Sequence, residues 1–215
     1  MAQRGQDVRE FSYGPLRSLK TGIRLAQIQP GTGKKAIAIE LIDSFITGSG
    51  QVPYDALSYT WGGGLQSKPI ICDRRRLWVT PTLSEALYRF RHPDKVVTLW
   101  IDQICICQAR VKERNQQVQM MGDIFKNARK VIVWLGEDYD DSRAGMQLAK
   151  QLLHIAQYAQ VSGIEPSDLE THGLPRQGHK RWRALAAALR RPWFWRTWVV
   201  SKTMGKPLLI VSGVG

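Results

Sequence analysis

The stretch "VVTLWIDQICICQARVKERNQQVQMMGDIFKNARKVIVWLG", residues 96–136, decides the fold. It opens on a continuous apolar run, the pattern of a strand covered on both faces, and one carboxylate, Asp102, breaks the run near its end. From Lys112 the period changes, with Val118, Met121, Phe125 and Ala128 recurring at helical spacing. A second apolar run, "KVIVWLG", follows and closes on Gly136. Strand, helix and strand in that order predict an α/β sheet with helices on both faces.

Working outward, "KAIAIELIDSF" alternates Ile37, Ile39 and Leu41, the period-two signal of a strand. "YDALSYTWGGG" is a short buried strand that ends near Tyr59 and turns on glycines, and "KPIICDRRRLWVTPTL" reads as two strands around a turn, Pro69 to Cys72 and Leu77 to Thr80. Thr82 is expected to cap a helix, with Glu85 three residues on and Leu83, Ala86, Leu87 and Phe90 on its apolar face. The first thirty residues read as an irregular lead-in with one short strand, "IRLAQIQP". "GTGKK" after it lacks the glycine spacing and following Ser/Thr of a phosphate loop and reads as a turn. Residues 142–158 and 180–189 are helical in pattern, and "PLLIVSG" is a last strand. The expected architecture is a central, mostly parallel sheet flanked by helices, with extra N-terminal strands and helical insertions. Residues 1–50 would be lead-in strands and 51–215 the main domain.

Composition narrows the class. The chain has 215 residues, 43% of them apolar, enough for one real core. Its net charge of +13 favours polyanions or an acidic partner, and from Thr171 onward there are nine Lys/Arg and no Asp or Glu. Such a tail is a solvated face, a patch covered by a partner, or a nucleic-acid surface; no helix-turn-helix, zinc finger or RNA-binding sheet motif accompanies it. Cys72, Cys105 and Cys107 cannot all pair, and no second Cys/His cluster gives them zinc-ligand spacing, so reduced thiols and an intracellular protein are expected, with no metal. The N-terminus lacks the apolar core of a signal peptide, and no apolar run reaches the ~20 residues of a membrane span, so a cytoplasmic location is expected.

Three blocks are more specific: "YDALSYTWGG" (54–63), "LWIDQICICQARVKERNQQVQMMGDIFKNARKVIVWLG" (99–136) and "RPWFWRTWVV" (191–200). In this order, with "VTPTLSEAL" between the first two, they resemble the fungal heterokaryon incompatibility (HET) domain over most of the chain. The resemblance implies an effector module of the regulated death that follows fusion of genetically different fungal cells. It also implies a remote kinship with TIR domains, a flavodoxin-like fold. Some TIR domains cleave nicotinamide from NAD with a glutamate in a W-x-x-x-E pattern, and others act only by assembling with partners. NAD is therefore the expected substrate or ligand, and no other cofactor is implied.

In open α/β sheets the ligand crevice lies beyond the carboxyl ends of the strands, where Ser58, Tyr59, Trp61, Gly62 and Asp102 are expected. Ser58 and Tyr59 are candidates for a ribose or phosphate contact or for the core. Trp61, Trp100 and Trp134 are stacking platforms or core residues. Asp102 either serves a site or bonds a neighbouring N–H or arginine. Glu113 and Arg114 open a helix, as surface charges or ligand contacts. The family pattern reads I-N-Q where this chain has Ile106, Cys107 and Gln108, which puts Gln108 among the candidates, and Gln103 stands where a small residue is usual.

The decisive departure follows the aromatic block, where the family pattern W-V-x-Q-E becomes "WVVSK". Four residues after Trp198, itself a candidate pocket residue, the glutamate of the TIR comparison is replaced by Lys202. A carboxylate there would stabilise the positive charge that develops as nicotinamide leaves, and an ammonium reverses that sign. Losing such a contributor costs ~10²–10³ in rate. The leading expectation is a death-signalling module acting by self-association or by binding another incompatibility protein, with Trp193, Phe194 and Trp195 as interface residues. An NAD glycohydrolase, weak or silent in this form, is the alternative, and a nucleic-acid binder the third reading.

Overall fold

The structure is a computed structural model that describes residues 9–138, 141–158, 165–195 and 208–213. Among the described residues, eight strands form one sheet: β1 (Gly22–Ile28), β2 (Ala38–Phe45), β3 (Asp55–Tyr59), β4 (Lys68–Cys72), β5 (Arg75–Val79), β6 (Val97–Trp100), β7 (Val131–Glu137) and β8 (Leu208–Gly213). They lie in the order β5-β4-β2-β1-β6-β3-β7-β8. The helices are α1 (Pro81–Phe90), α2 (Asp102–Cys105), α3 (Val111–Asn127), α4 (Ser142–Tyr158) and α5 (Lys180–Leu189). This is the expected α/β class. The parallel pairing is concentrated in the core, where β3 pairs with β6 on one side and β7 on the other, while β1 runs antiparallel to both β2 and β6.

The chain divides into two compact units, Met1–Trp134 with Trp198–Val211 and Leu135–Thr197 with Ser212–Gly215. In the first, Ala56 of β3 stands beside Trp100 of β6 and Tyr59 beside Trp134 of β7. Trp100 and Trp134 are fully buried, each edge-to-face with a phenylalanine, Phe125 and Phe90 respectively. These two tryptophans are therefore core residues.

Three local readings are corrected. The cap of α1 is Thr80, two residues earlier than expected: its hydroxyl accepts from the Leu83 N–H, and Pro81 begins the helix where a missing N–H costs nothing. The apolar run that opens residues 96–136 is a strand only to Trp100, because α2 starts at Asp102. On α3 the buried stripe passes through Gln117, fully buried, while Val118 is 48% exposed. The Gln117 side-chain N–H donates to the Gly22 carbonyl of β1 at 2.9 Å, a bond that holds a buried amide where periodicity alone would put valine, while its oxygen stays buried without a partner among the described residues.

The lead-in is tied to the sheet. Strand β1 lies between β2 and β6 with nearly every residue buried. At the sheet's edge, Arg76 of β5 donates its N–H to Arg9 and accepts from the Phe11 N–H, a single parallel bridge. The turn carrying "GTGKK" is held by Arg91, which donates to the Lys35 and Gly33 carbonyls.

The second unit packs α4 against α5 around Leu148, Leu174 and Leu185, with Trp182 and Ile155 at its margin. Gly145 makes the close approach possible, since a Cβ there would lie 2.6 Å from the Ala184 carbonyl. Arg191 donates to the Leu135 carbonyl and to the Ser142 hydroxyl, joining the end of β7 to the start of α4. Among the described residues no helix is long and apolar enough to cross a membrane. All three cysteines are buried and unpaired as disulfides.

Candidate functional site

At the carboxyl end of β3 the chain leaves the sheet through Trp61 and reverses at Gly62 and Gly63, whose φ values of +77° and +64° lie in the left-handed region. Close approach is a second reason for glycine at position 62, because a Cβ would stand 2.7 Å from the Thr82 hydroxyl at the start of α1. On the neighbouring parallel strand, β6, the chain passes Ile101 and enters α2 at Asp102. The two strand ends are clasped together: the Trp61 indole N–H donates to the Asp102 carboxylate, 3.2 and 3.1 Å from its two oxygens.

Neighbours hold Asp102 in one orientation. Its carboxylate accepts the Gln103 backbone N–H at 2.8 Å, and its carbonyl accepts the Gln108 side-chain amide at 2.9 Å. The Gln103 side chain is buried and accepts the Thr80 backbone N–H at 3.0 Å, which fixes the start of α1 against the same place. Trp61, Gly62, Asp102 and Gln108 are thus brought together, and Gln103, Thr80 and Thr82 complete the surround. Ser58 and Tyr59 are buried within β3 behind them, at 4% and 2% exposure. A half-buried, oriented carboxylate beside an indole and a glycine turn is suited to accept ligand hydroxyls while backbone approaches closely.

Glu113 faces elsewhere. Its carboxylate meets the Arg24 guanidinium at 2.5 and 3.2 Å and accepts the Cys107 backbone N–H at 2.8 Å. Both partners of this ion pair are about 5% exposed or less. Arg114 is exposed and donates to the Gln108 carbonyl at 3.2 Å, one step from the clasp. Of the aromatic block in the second unit, Trp193 is buried, Phe194 half-buried and edge-to-face with it, and Trp195 is 73% exposed. Trp198 and Lys202 lie outside the described residues. Among the described residues no group of three or more His, Cys, Asp and Glu side chains is placed to hold a metal ion.

Sequence reasoning passed over Arg24 and Thr80. A lone charge inside the apolar run "IRLAQI" was the signal for Arg24, since a buried guanidinium requires an acidic partner. Pro81 was the signal for Thr80, because proline favours the first helical position.

The model of the family described as Heterokaryon incompatibility protein (HET) matches residues 54–201. The match includes the strand ends, the clasp and the aromatic block. Over 153 residues the chain is 34% identical to "Heterokaryon incompatibility protein 6, OR allele" of Neurospora crassa, which covers 63% of this chain and 22% of the relative's length. No solved structure matches the chain.

Proposed function

Because the chain belongs to the heterokaryon incompatibility (HET) family, we propose that it is an effector and signalling module of fungal incompatibility and regulated cell death. It acts in the cytoplasm by assembly, with itself or with another incompatibility protein. The observation that carries this reading is the family match, which runs from the start of β3 through the aromatic block. Residues 51–215 form the module, with the lead-in strands completing its sheet. Trp195 supplies the exposed anchor of the aromatic block, within a stretch of sequence that carries nine Lys/Arg and no acid from Thr171 onward. Expression in a fungal host tests this directly: the intact chain should arrest growth, and Trp195→Ser should relieve the arrest and lower the assembly size on a sizing column. Unchanged death with a monomeric protein would sink the assembly reading.

A second reading, NAD cleavage in the crevice, draws support from Asp102 and Trp61 at adjoining parallel strand ends, where such sheets take ligands. Lys202 opposes it electrostatically. Nicotinamide release should be negligible for the protein as it stands and appear in Lys202→Glu. If neither form turns over NAD, the cleavage reading is lost and the assembly reading stands.

A further inference from the structure

Away from the clasp, the segment ahead of β1 and the first turn of α3 enclose an open groove of about 530 Å³. Pro15, Leu16 and Leu19 form one wall, and Arg110, Val111 and Lys112 the other. Leu19 is 48% exposed and Val111 55%, and two turns along α3 lies Val118, also 48% exposed. Single exposed aliphatic side chains are ordinary, but two facing each other across a concavity, with a third on the same helix face, are the pattern of a docking site.

The wall is pinned in place. Arg110 donates to the Gly14 and Tyr13 carbonyls at 2.7 and 2.5 Å, Arg24 donates to Gly14 at 2.8 Å, and the Tyr13 hydroxyl donates to the Ile104 carbonyl at 2.9 Å. A preformed wall loses little conformational freedom when something docks against it.

Charge selects the occupant. Among the described residues lining the groove the one acid is Glu113, and its carboxylate is buried against Arg24. What faces outward is cationic: Lys112, the half-exposed guanidinium of Arg110, which also holds the Gly14 and Tyr13 carbonyls and lies 3.7 Å from Glu113, and the positive end of α3, whose free N–H groups receive no cap from the Arg110 side chain. A second copy of a chain with net charge +13 brings the wrong sign. We propose that this groove docks a short acidic segment of a partner protein, which inserts an apolar side chain between Leu19 and Val111 and sets carboxylates against Arg110 and Lys112. This surface is separate from the one that carries the proposed function, so either can fail alone.

Fluorescence polarisation with a labelled peptide of about twelve residues, two leucines among glutamates, tests the groove. Replacing its leucines by serine, or its glutamates by lysine, should each weaken binding at least about tenfold. Val111→Asp and Lys112→Glu in the protein should each do the same with unchanged thermal unfolding, and Trp195→Ser should have no effect. Three results would overturn the proposal. The serine peptide could bind as well as the leucine peptide, or Val111→Asp and Lys112→Glu could leave affinity intact. Sedimentation could instead reveal a dimer of this chain that Val111→Asp dissolves, making a second copy the occupant.

Discussion

Arg24 of β1 and Glu113 of α3 meet fork to fork, 2.5 and 3.2 Å apart, with both side chains almost wholly withdrawn from water. Arg24 also holds the Cys105 and Gly14 carbonyls, and Glu113 the Cys107 N–H, so the pair ties the sheet to the approach of α3 and to the lead-in. Removing one member strands the other charge in a low-dielectric site. Glu113→Ala should therefore lower unfolding free energy by about 3–5 kcal/mol. Replacing both members with apolar residues of similar volume should recover much of that loss. Urea titrations of the single and double variants make the comparison.

The second unit offers a steric test. Any side chain at position 145 must displace the Ala184 backbone, which cannot yield as a flexible side chain would. Gly145→Ala should destabilise by about 1–3 kcal/mol despite alanine's better helix propensity. Thermal unfolding followed by circular dichroism is the measurement, and an increase in melting temperature would contradict the close contact.

At the hairpin joining β4 and β5, Asp73 and Arg74 both have positive φ, 48° and 64°. Asp73 is compensated, since its carboxylate accepts the Leu41 N–H at 3.2 Å. Arg74 is exposed and relieved of its left-handed strain by glycine, so Arg74→Gly should stabilise the fold by about 1 kcal/mol. Arg74→Val, β-branched at the same φ, should do the opposite.

Burial pushes the Cys105 thiol from its usual 9.0 up to about 12. The native state thus keeps a proton that the unfolded chain releases from about pH 9 upward. This thiol contributes stability that is fully present below pH 9 and is lost as pH rises toward 12. Iodoacetamide at pH 8.5 should modify Cys105 only in denaturant, and mass mapping of the alkylated peptide reads the result.

The core of the fold was legible because residues 96–136 change period twice, and burial on both faces of β7 from Val131 to Leu135 leaves only apolar residues to read there. The bounds of α4 and α5 were legible from their patterns too. What misled was a polar side chain doing a core residue's job: Gln117 displaces Val118 from the buried stripe because its amide finds the Gly22 carbonyl, a partner ninety-five positions away. Asp102 illustrates the same limit at the candidate site. Its place at a strand end could be read from the run it interrupts, but its partner Trp61 could not, because the hydrogen bond depends on β3 and β6 being neighbours. The antiparallel pairing of β1 with β6 was likewise beyond local pattern, since it joins segments separated by four other strands.

The single bridge between Arg76 and the segment from Arg9 to Phe11 bears on solubility. Strand β5 ends the sheet, and an uncovered end strand is a template on which a neighbouring molecule can add its own. The bridge occupies the outward N–H and carbonyl of Arg76, and the charges of Arg74, Arg75 and Arg76 repel a like chain from the rest of the edge. The lead-in thereby acts as a guard against aggregation, and a preparation that loses residues 9–11 frees the outward backbone groups of Arg76 and leaves the edge to charge alone.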